Sequence, residues 1–182
     1  MALKKGELVQ PSLNGNGSYR EGRSGGEKRP VTGNCCSFDE RRQILESLPQ
    51  KGSFLFIDTI HELSSEHIVA GYKFRGDEWF YSGHFPGNPV TPGVILVEAM
   101  AQAGLVALGL YLLSIEDSGA ALQTLFTECS VEFLSVVKPG QEVIVRGDRV
   151  YWRRRKLRSK VQLSLADGTL AAVGTVSGLG VR

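Results

Sequence analysis

Residues 94–113 constrain the fold more than any other part of the chain: twenty consecutive residues carry one charge, Glu98, and one amide, Gln102. A run of that length is sufficient to cross a bilayer. A single ionisable residue within it costs only about 2.5–3.5 kcal/mol on insertion scales, so Glu98 does not decide the matter. The surroundings do. The rest of the chain alternates like the strands of a soluble domain, and Ala99, Ala103, Gly104, Ala107 and Gly109 give the run small residues that a sheet can approach closely. A helix apolar on every side in such a setting is enclosed by other elements, so no membrane span is expected.

Before this helix, Ser37-Phe38-Asp39-Glu40 has the form of an N-cap segment, followed by a short amphipathic helix through Ile44, Leu45 and Leu48 that Pro49 ends. Phe54-Leu55-Phe56-Ile57 reads as a short strand, and residues 67–74 alternate as a second one. After the helix, residues 125–137, 142–151, 157–165 and 170–176 read as strands, with Pro139-Gly140 and Asp167-Gly168 as turns. One apolar helix with antiparallel strands on both sides in sequence predicts an α+β domain whose sheet wraps that helix.

Residues 1–37 are rich in Gly, Ser, Asn and basic residues and lack apolar periodicity. Such a composition does not offset the entropy of ordering. We therefore expect a disordered tail over 1–37 and one domain over 38–182. Gly15-Asn16-Gly17 has neither a strand before it nor a helix after it, so it is not read as a phosphate loop. The tail also lacks the apolar core of a secretory signal.

The 21 basic and 19 acidic residues leave a net charge of +2, which gives no face for nucleic acid. The one dense basic run, Arg153 to Lys156 with Arg158, fits either a solvated strand end or a site for an anionic partner. The three cysteines, Cys35, Cys36 and Cys129, make neither a disulfide framework nor a metal-site spacing, and a reducing cytoplasmic setting is expected.

Glu98 shares a helix face with Val94, Ile95, Ala101 and Leu105. Burial there would raise its pKa, a situation that recurs where the group has a chemical task. Gln102, one turn on, is placed to hold the carboxyl group. A partly exposed glutamate favoured by the positive end of the helix explains the residue equally well at this point.

The preceding turn, Gly83-His84-Phe85-Pro86-Gly87-Asn88-Pro89-Val90-Thr91-Pro92-Gly93, has three prolines and three glycines in eleven residues, which fix an irregular path. Rigid irregular backbone of this kind clusters at sites. Pro92 suits the first helical position, where a missing N–H costs nothing. Gly93 then offers a backbone N–H at the positive helix end, suited to a carbonyl oxygen that gains charge. His84 stands beside that donor; His61 and His67 fall in or near the earlier strands and are expected to be exposed.

Residues 83–102, Gly-His-Phe-Pro-Gly-Asn-Pro-Val-Thr-Pro-Gly-Val-Ile-Leu-Val-Glu-Ala-Met-Ala-Gln, resemble the signature of bacterial β-hydroxyacyl-ACP dehydratases of the FabZ type. Weaker similarity takes in Leu48-Pro49, the Phe54 to Asp58 run, Phe133 and Val137-Lys138-Pro139-Gly140, so that roughly residues 44–177 are covered. The resemblance implies the hotdog fold, a long helix wrapped by an antiparallel sheet. It implies conversion of (3R)-3-hydroxyacyl-ACP to trans-2-enoyl-ACP, with His84 as base, Glu98 as acid and the Gly93 N–H on the thioester carbonyl. Phe85 and Pro92 would line the substrate site and Gln102 would orient Glu98. No metal or redox cofactor is implied. The partners implied are acyl carrier protein and a second copy of the chain, since the pair of such enzymes meets across a dimer interface, often within a trimer of dimers. Glu rather than Asp at 98 points to the simple dehydratase over the dehydratase–isomerase.

The chain departs from that pattern in two places. Gln50-Lys51-Gly52-Ser53 replaces a His-Arg-Tyr-Pro segment, and Glu132-Phe133-Leu134-Ser135 replaces a basic one, which leaves the carrier-docking surface open. Three further readings stay open here: a specialised polyketide or polyene pathway, a hotdog acyl thioesterase, and a non-catalytic acyl-binding subunit.

Overall fold

The structure is a computed structural model that describes residues 36–116 and 123–181. Of the expected tail, residues 1–35 lie outside the described residues. Cys36 does not behave as tail: it is buried, and its N–H donates to Leu63 O at 3.0 Å. Ser37 caps helix α1 (Phe38–Ser47) through a reciprocal bond pair with Glu40.

The strand expected over 54–57 is absent. Gly52–Phe54 forms a 3-10 turn, and the first strand, β1, is Thr59–Leu63. The reason is physical: Gln102 Oε1 accepts the Phe56 N–H at 2.8 Å and Gln102 Nε2 donates to Phe54 O at 2.8 Å. Phe56 N–H and Phe54 O are thus satisfied by a helix side chain instead of a ladder, and the N–H groups of Phe54 and Leu55 by the turn itself. Its apolar residues are still used, since Phe56 and Ile57 are buried.

Next come β2 (His67–Lys73), a 3-10 turn (Trp79–Ser82) and the long helix α2 (Gly93–Ile115). Then follow β3 (Gln123–Phe133), β4 (Glu142–Arg153), β5 (Lys156–Leu165) and β6 (Leu170–Val181). The six strands form one antiparallel sheet in the order β1-β2-β4-β5-β6-β3. Leu157, Ser159, Val161 and Leu163 alternate inward along β5, as strand periodicity requires, against Lys160 and Gln162 outside.

Although long and apolar enough to span a membrane, α2 is 72% buried inside the fold over its most apolar window. Its middle, Gln102–Ala107, widens into a π segment between α-helical ends. There the helix meets the sheet most closely: a Cβ on Gly147 would lie 2.9 Å from Gly104 Cα. Ser159, fully buried, donates its hydroxyl to Gly104 O at 2.7 Å, within the π segment. The sheet covers Ile95, Leu96, Ala99 and Met100 but leaves Val94 76% exposed on the other side of the helix.

Candidate active site

The turn before α2 is built on an aromatic base. Tyr72, Phe74, Phe80 and Tyr81 pack edge to face or tilted, with centroids 4.6–6.4 Å apart. From that base, Phe80 O accepts the N–H groups of Gly83 and His84 at 3.2 and 3.0 Å. Tyr81 and Thr91, both buried, share a 2.6 Å hydroxyl bond that braces the two arms of the turn, and burial pushes the Tyr81 phenol above its ordinary pKa. Thr91 N donates to Val137 O at 2.8 Å and ties the turn to the loop after β3. Gly87, at φ +80°, makes the reversal that a residue with a Cβ rarely adopts.

His84 is clamped twice by one residue. Its C=O accepts Val90 N–H at 3.0 Å, and its Nδ1 lies 3.0 Å from Val90 O. A carbonyl only accepts, so Nδ1 carries the proton and neutral His84 keeps a lone pair on Nε2. Phe85, about half exposed, stacks on the imidazole at 4.2 Å across a cis peptide bond.

Pro92 is not the first helical residue, as the sequence suggests, but the cap. Its ψ of 136° is extended while its C=O already accepts from Ile95 and Leu96 N–H at 2.9 and 3.2 Å. Gly93 therefore opens the helix, and its N–H is one of those without an intrahelical acceptor.

Glu98 is half-buried, not buried as its apolar neighbours suggest, because it lies on the side of α2 that the sheet leaves uncovered. Its Oε1 accepts from Gln102 Nε2 at 2.9 Å. Gln102 is wholly buried, and the bonds to Phe56 N–H and Phe54 O fix which end of its amide is nitrogen. The NH₂ group is thus committed to Phe54 O and Glu98 together. Among the described residues no hydrogen bond joins His84 to Glu98; each is held by its own partner.

The other histidines are engaged elsewhere. His61 is exposed and bonds Thr59 at 3.2 Å, whereas His67 is more enclosed than expected, between Ser64 and Glu62 at 3.0 Å each. Among the described residues no group of three or more His, Cys, Asp or Glu is arranged to hold a metal ion.

The basic run forms the β4–β5 hairpin, with Arg154 and Arg155 at φ 50° and 62°. Tyr151, Arg153, Arg154, Lys156 and Leu179 line an open groove of about 600 Å³ there. The hairpin sits near the C-terminal end of α2, where Trp152 Nε1 donates to Glu116 at 2.6 Å. Within one protomer it is a helix length, roughly 34 Å, from the His84 turn.

Two contributors to the site escape sequence reading. The Val90 carbonyl that sets the His84 tautomer is main chain and leaves no side-chain signal. Phe133, at the end of β3, carries its ring to the start of α2: a Cβ on Gly93 would lie 2.9 Å from its Cζ.

The family model described as a FabA-like domain matches residues 48–176. A 3-hydroxyacyl-[acyl-carrier-protein] dehydratase FabZ of Streptococcus uberis is 35% identical over 137 residues, 75% of this chain and 94% of that protein. Among solved structures, the dehydratase heterocomplex ApeI:P of Xenorhabdus doucetiae aligns with a TM-score of 0.64 at 15% identity, over 76% of this chain and 91% of its own. A variant thioesterase of Pseudomonas aeruginosa aligns with a TM-score of 0.57 at 17% identity, over 78% and 93%. At those identities the structural likeness establishes the hotdog fold alone. With 35% identity and a family model spanning most of the domain, the chain belongs to the FabA-like family and is a dehydratase of the FabZ type.

Proposed function

We propose that the chain dehydrates (3R)-3-hydroxyacyl thioesters on acyl carrier protein to trans-2-enoyl thioesters. The observation that supports this reading is the separate preparation of two groups, an imidazole with Nε2 left free by the Val90 contact and a carboxyl group with one oxygen already engaged by Gln102. His84 Nε2 takes the α-proton while the thioester oxygen gains charge against the Gly93 N–H. Since Glu98 Oε1 accepts from Gln102, the acidic proton resides on Oε2, from which it passes to the β-hydroxyl. The Cβ–O bond breaks, water leaves and the Cα–Cβ double bond forms. The proton on His84 then returns to Glu98, which resets the pair. Phe85 and Pro92 wall the substrate beside the imidazole.

We place the working pair across a homodimer, and larger assembly such as a trimer of dimers builds on it. β3 is an eleven-residue edge strand without Pro or Lys, and Leu125, Phe126 and Phe133 on it are each 45–51% exposed. Although Glu128 and Glu132 also lie on it, an unpaired edge of that length with three exposed apolar side chains is a template for pairing, and a second copy there also covers the open side of α2. The basic hairpin supplies a surface for an acidic carrier protein, and a cytoplasmic location follows from the substrate.

The test is dehydration of 3-hydroxybutyryl-ACP by His84→Ala and Glu98→Gln, with light scattering for the dimer. Each variant should remain folded and dimeric and lose enoyl formation. Full activity in either sinks the reading, and stoichiometric free thiol in place of enoyl product would favour a thioesterase.

A further inference from the structure

We infer that Phe133 is the water shield of the Gly93 site, a positioning residue that keeps a thioester polarised there on the elimination path and away from hydrolysis. The inference rests on the proposed role of the Gly93 N–H. Its observation is steric. A Cβ built on Gly93 would lie 2.9 Å from Phe133 Cζ and 3.2 Å from Cε1 and Cε2, so the far edge of the ring occupies the side-chain space of the helix-opening residue.

Both sides of this contact are anchored. Phe133 pairs with Ala172 in the last register of β3, and Leu134 and Ser135 both donate to Ala171 O, at 2.8 and 3.2 Å. Gly93 is held by the Thr91 bond to Val137 and by the Pro92 cap. The ring itself is half exposed, so it covers the helix start without being enclosed by the core. A phenyl group at the end of an edge strand, spread over the first residue of a helix, is placed to keep solvent from one side of that residue's N–H.

The chemistry gives the shield a purpose. A thioester oxygen bonded to an N–H at a helix start makes its carbonyl carbon more electrophilic, whatever the intended reaction. Water reaching that carbon would add to it, the C–S bond would break, and free acid and thiol would leave. Excluding water from a polarised carbonyl prevents this side reaction. Phe133 also accounts for glycine at 93: any side chain there meets the far edge of the ring, and either the ring is pushed off the helix start or the N–H moves away from the carbonyl. Displacement on the ångström scale costs up to about 100-fold in rate.

The experiment measures enoyl product and free thiol in parallel from 3-hydroxybutyryl-ACP, for wild type, Gly93→Ala, Phe133→Ala, Phe133→Leu and the double variant Gly93→Ala/Phe133→Ala, with the dimer checked for each. Gly93→Ala should lose roughly 100-fold in kcat/KM, and the double variant should recover at least about tenfold of it. Phe133→Ala should raise the ratio of thiol to enoyl at least about tenfold, and Phe133→Leu, which keeps apolar bulk, should stay near wild type. A double variant no faster than Gly93→Ala, or an unchanged thiol ratio in Phe133→Ala, overturns the inference. No enoyl product from the wild type would instead overturn the proposed function.

Discussion

Replacing Gln102 with leucine separates the structural role of this amide from its catalytic one. The substitution nearly conserves volume, so little cavity forms, but it strands three groups: Phe56 N–H, Phe54 C=O and Glu98 Oε1. Their costs differ by burial. Phe56 is 1% exposed and its N–H has no route to water, so its loss carries the full penalty of about 1–3 kcal/mol. Phe54 is 47% exposed and Glu98 is half-buried, so water takes over much of what they lose. We expect a net destabilisation of about 2–3 kcal/mol, which for a domain of this size lowers Tm by roughly 5–10 °C. Thermal unfolding followed by circular dichroism, at one fixed protomer concentration because dimerisation adds to apparent stability, measures it. Glu98→Gln is the control: it leaves the Phe54 and Phe56 bonds in place and should melt near wild type while losing activity. A Gln102→Leu protein melting within roughly 2 °C of wild type would refute the view that this amide replaces a ladder for residues 54–56.

Three other outcomes follow from the structure. Ser159→Ala removes the hydroxyl that caps Gly104 O in the π segment and should cost about 1–3 kcal/mol in denaturant unfolding, far more than a surface serine. Burial, with the Glu78 carboxylate beside it, pushes the Tyr72 phenol up to about 12 from 10.0. The folded state thus holds that proton more tightly than the unfolded chain. The stabilisation is complete below pH 10 and falls as pH rises towards 12; alkaline melts of wild type against Tyr72→Phe read it as a shallower decline in the variant. Charge reversal at Arg153, Arg154 and Lys156 should raise KM for acyl-ACP in a salt-sensitive way while leaving turnover of a small pantetheine thioester unchanged, which steady-state kinetics at two ionic strengths will resolve.

The parts of the fold that sequence reading recovers are those decided by burial along one element. The helix is apolar all round because the sheet encloses most of it, and the alternation in β2, β4 and β5 follows from having one face against it. What it misses depends on a partner distant in sequence. Residues 54–57 have the composition of a strand, yet Phe56 N–H and Phe54 O bond Gln102, forty-six residues away from Phe56, while the N–H groups of Phe54 and Leu55 bond Lys51 O and Gly52 O. Likewise, Pro92 is compatible with the cap and the first helical position alike, and its extended ψ of 136° is what distinguishes them. In the candidate site, side-chain chemistry at His84, Glu98 and Gln102 is legible, whereas the Val90 carbonyl that sets the imidazole tautomer is not.

The partial exposure of Glu98 bears on how the site is completed. A carboxyl group meant to act as an acid gains from a low-dielectric setting, and the protomer supplies only half of one: Gln102 engages one oxygen while the outer side of α2, with Val94 uncovered, stays open. The last residue of the edge strand β3, Phe133, reaches the start of the same helix. On the proposed dimer, one event therefore accomplishes three things. It pairs an aggregation-prone edge, covers the open face of the helix and encloses Glu98. Activity should then track dimer concentration, and a charge introduced on the edge strand, Phe126→Glu, should lower both together. A monomeric Phe126→Glu protein with wild-type turnover would show that each protomer carries a complete site.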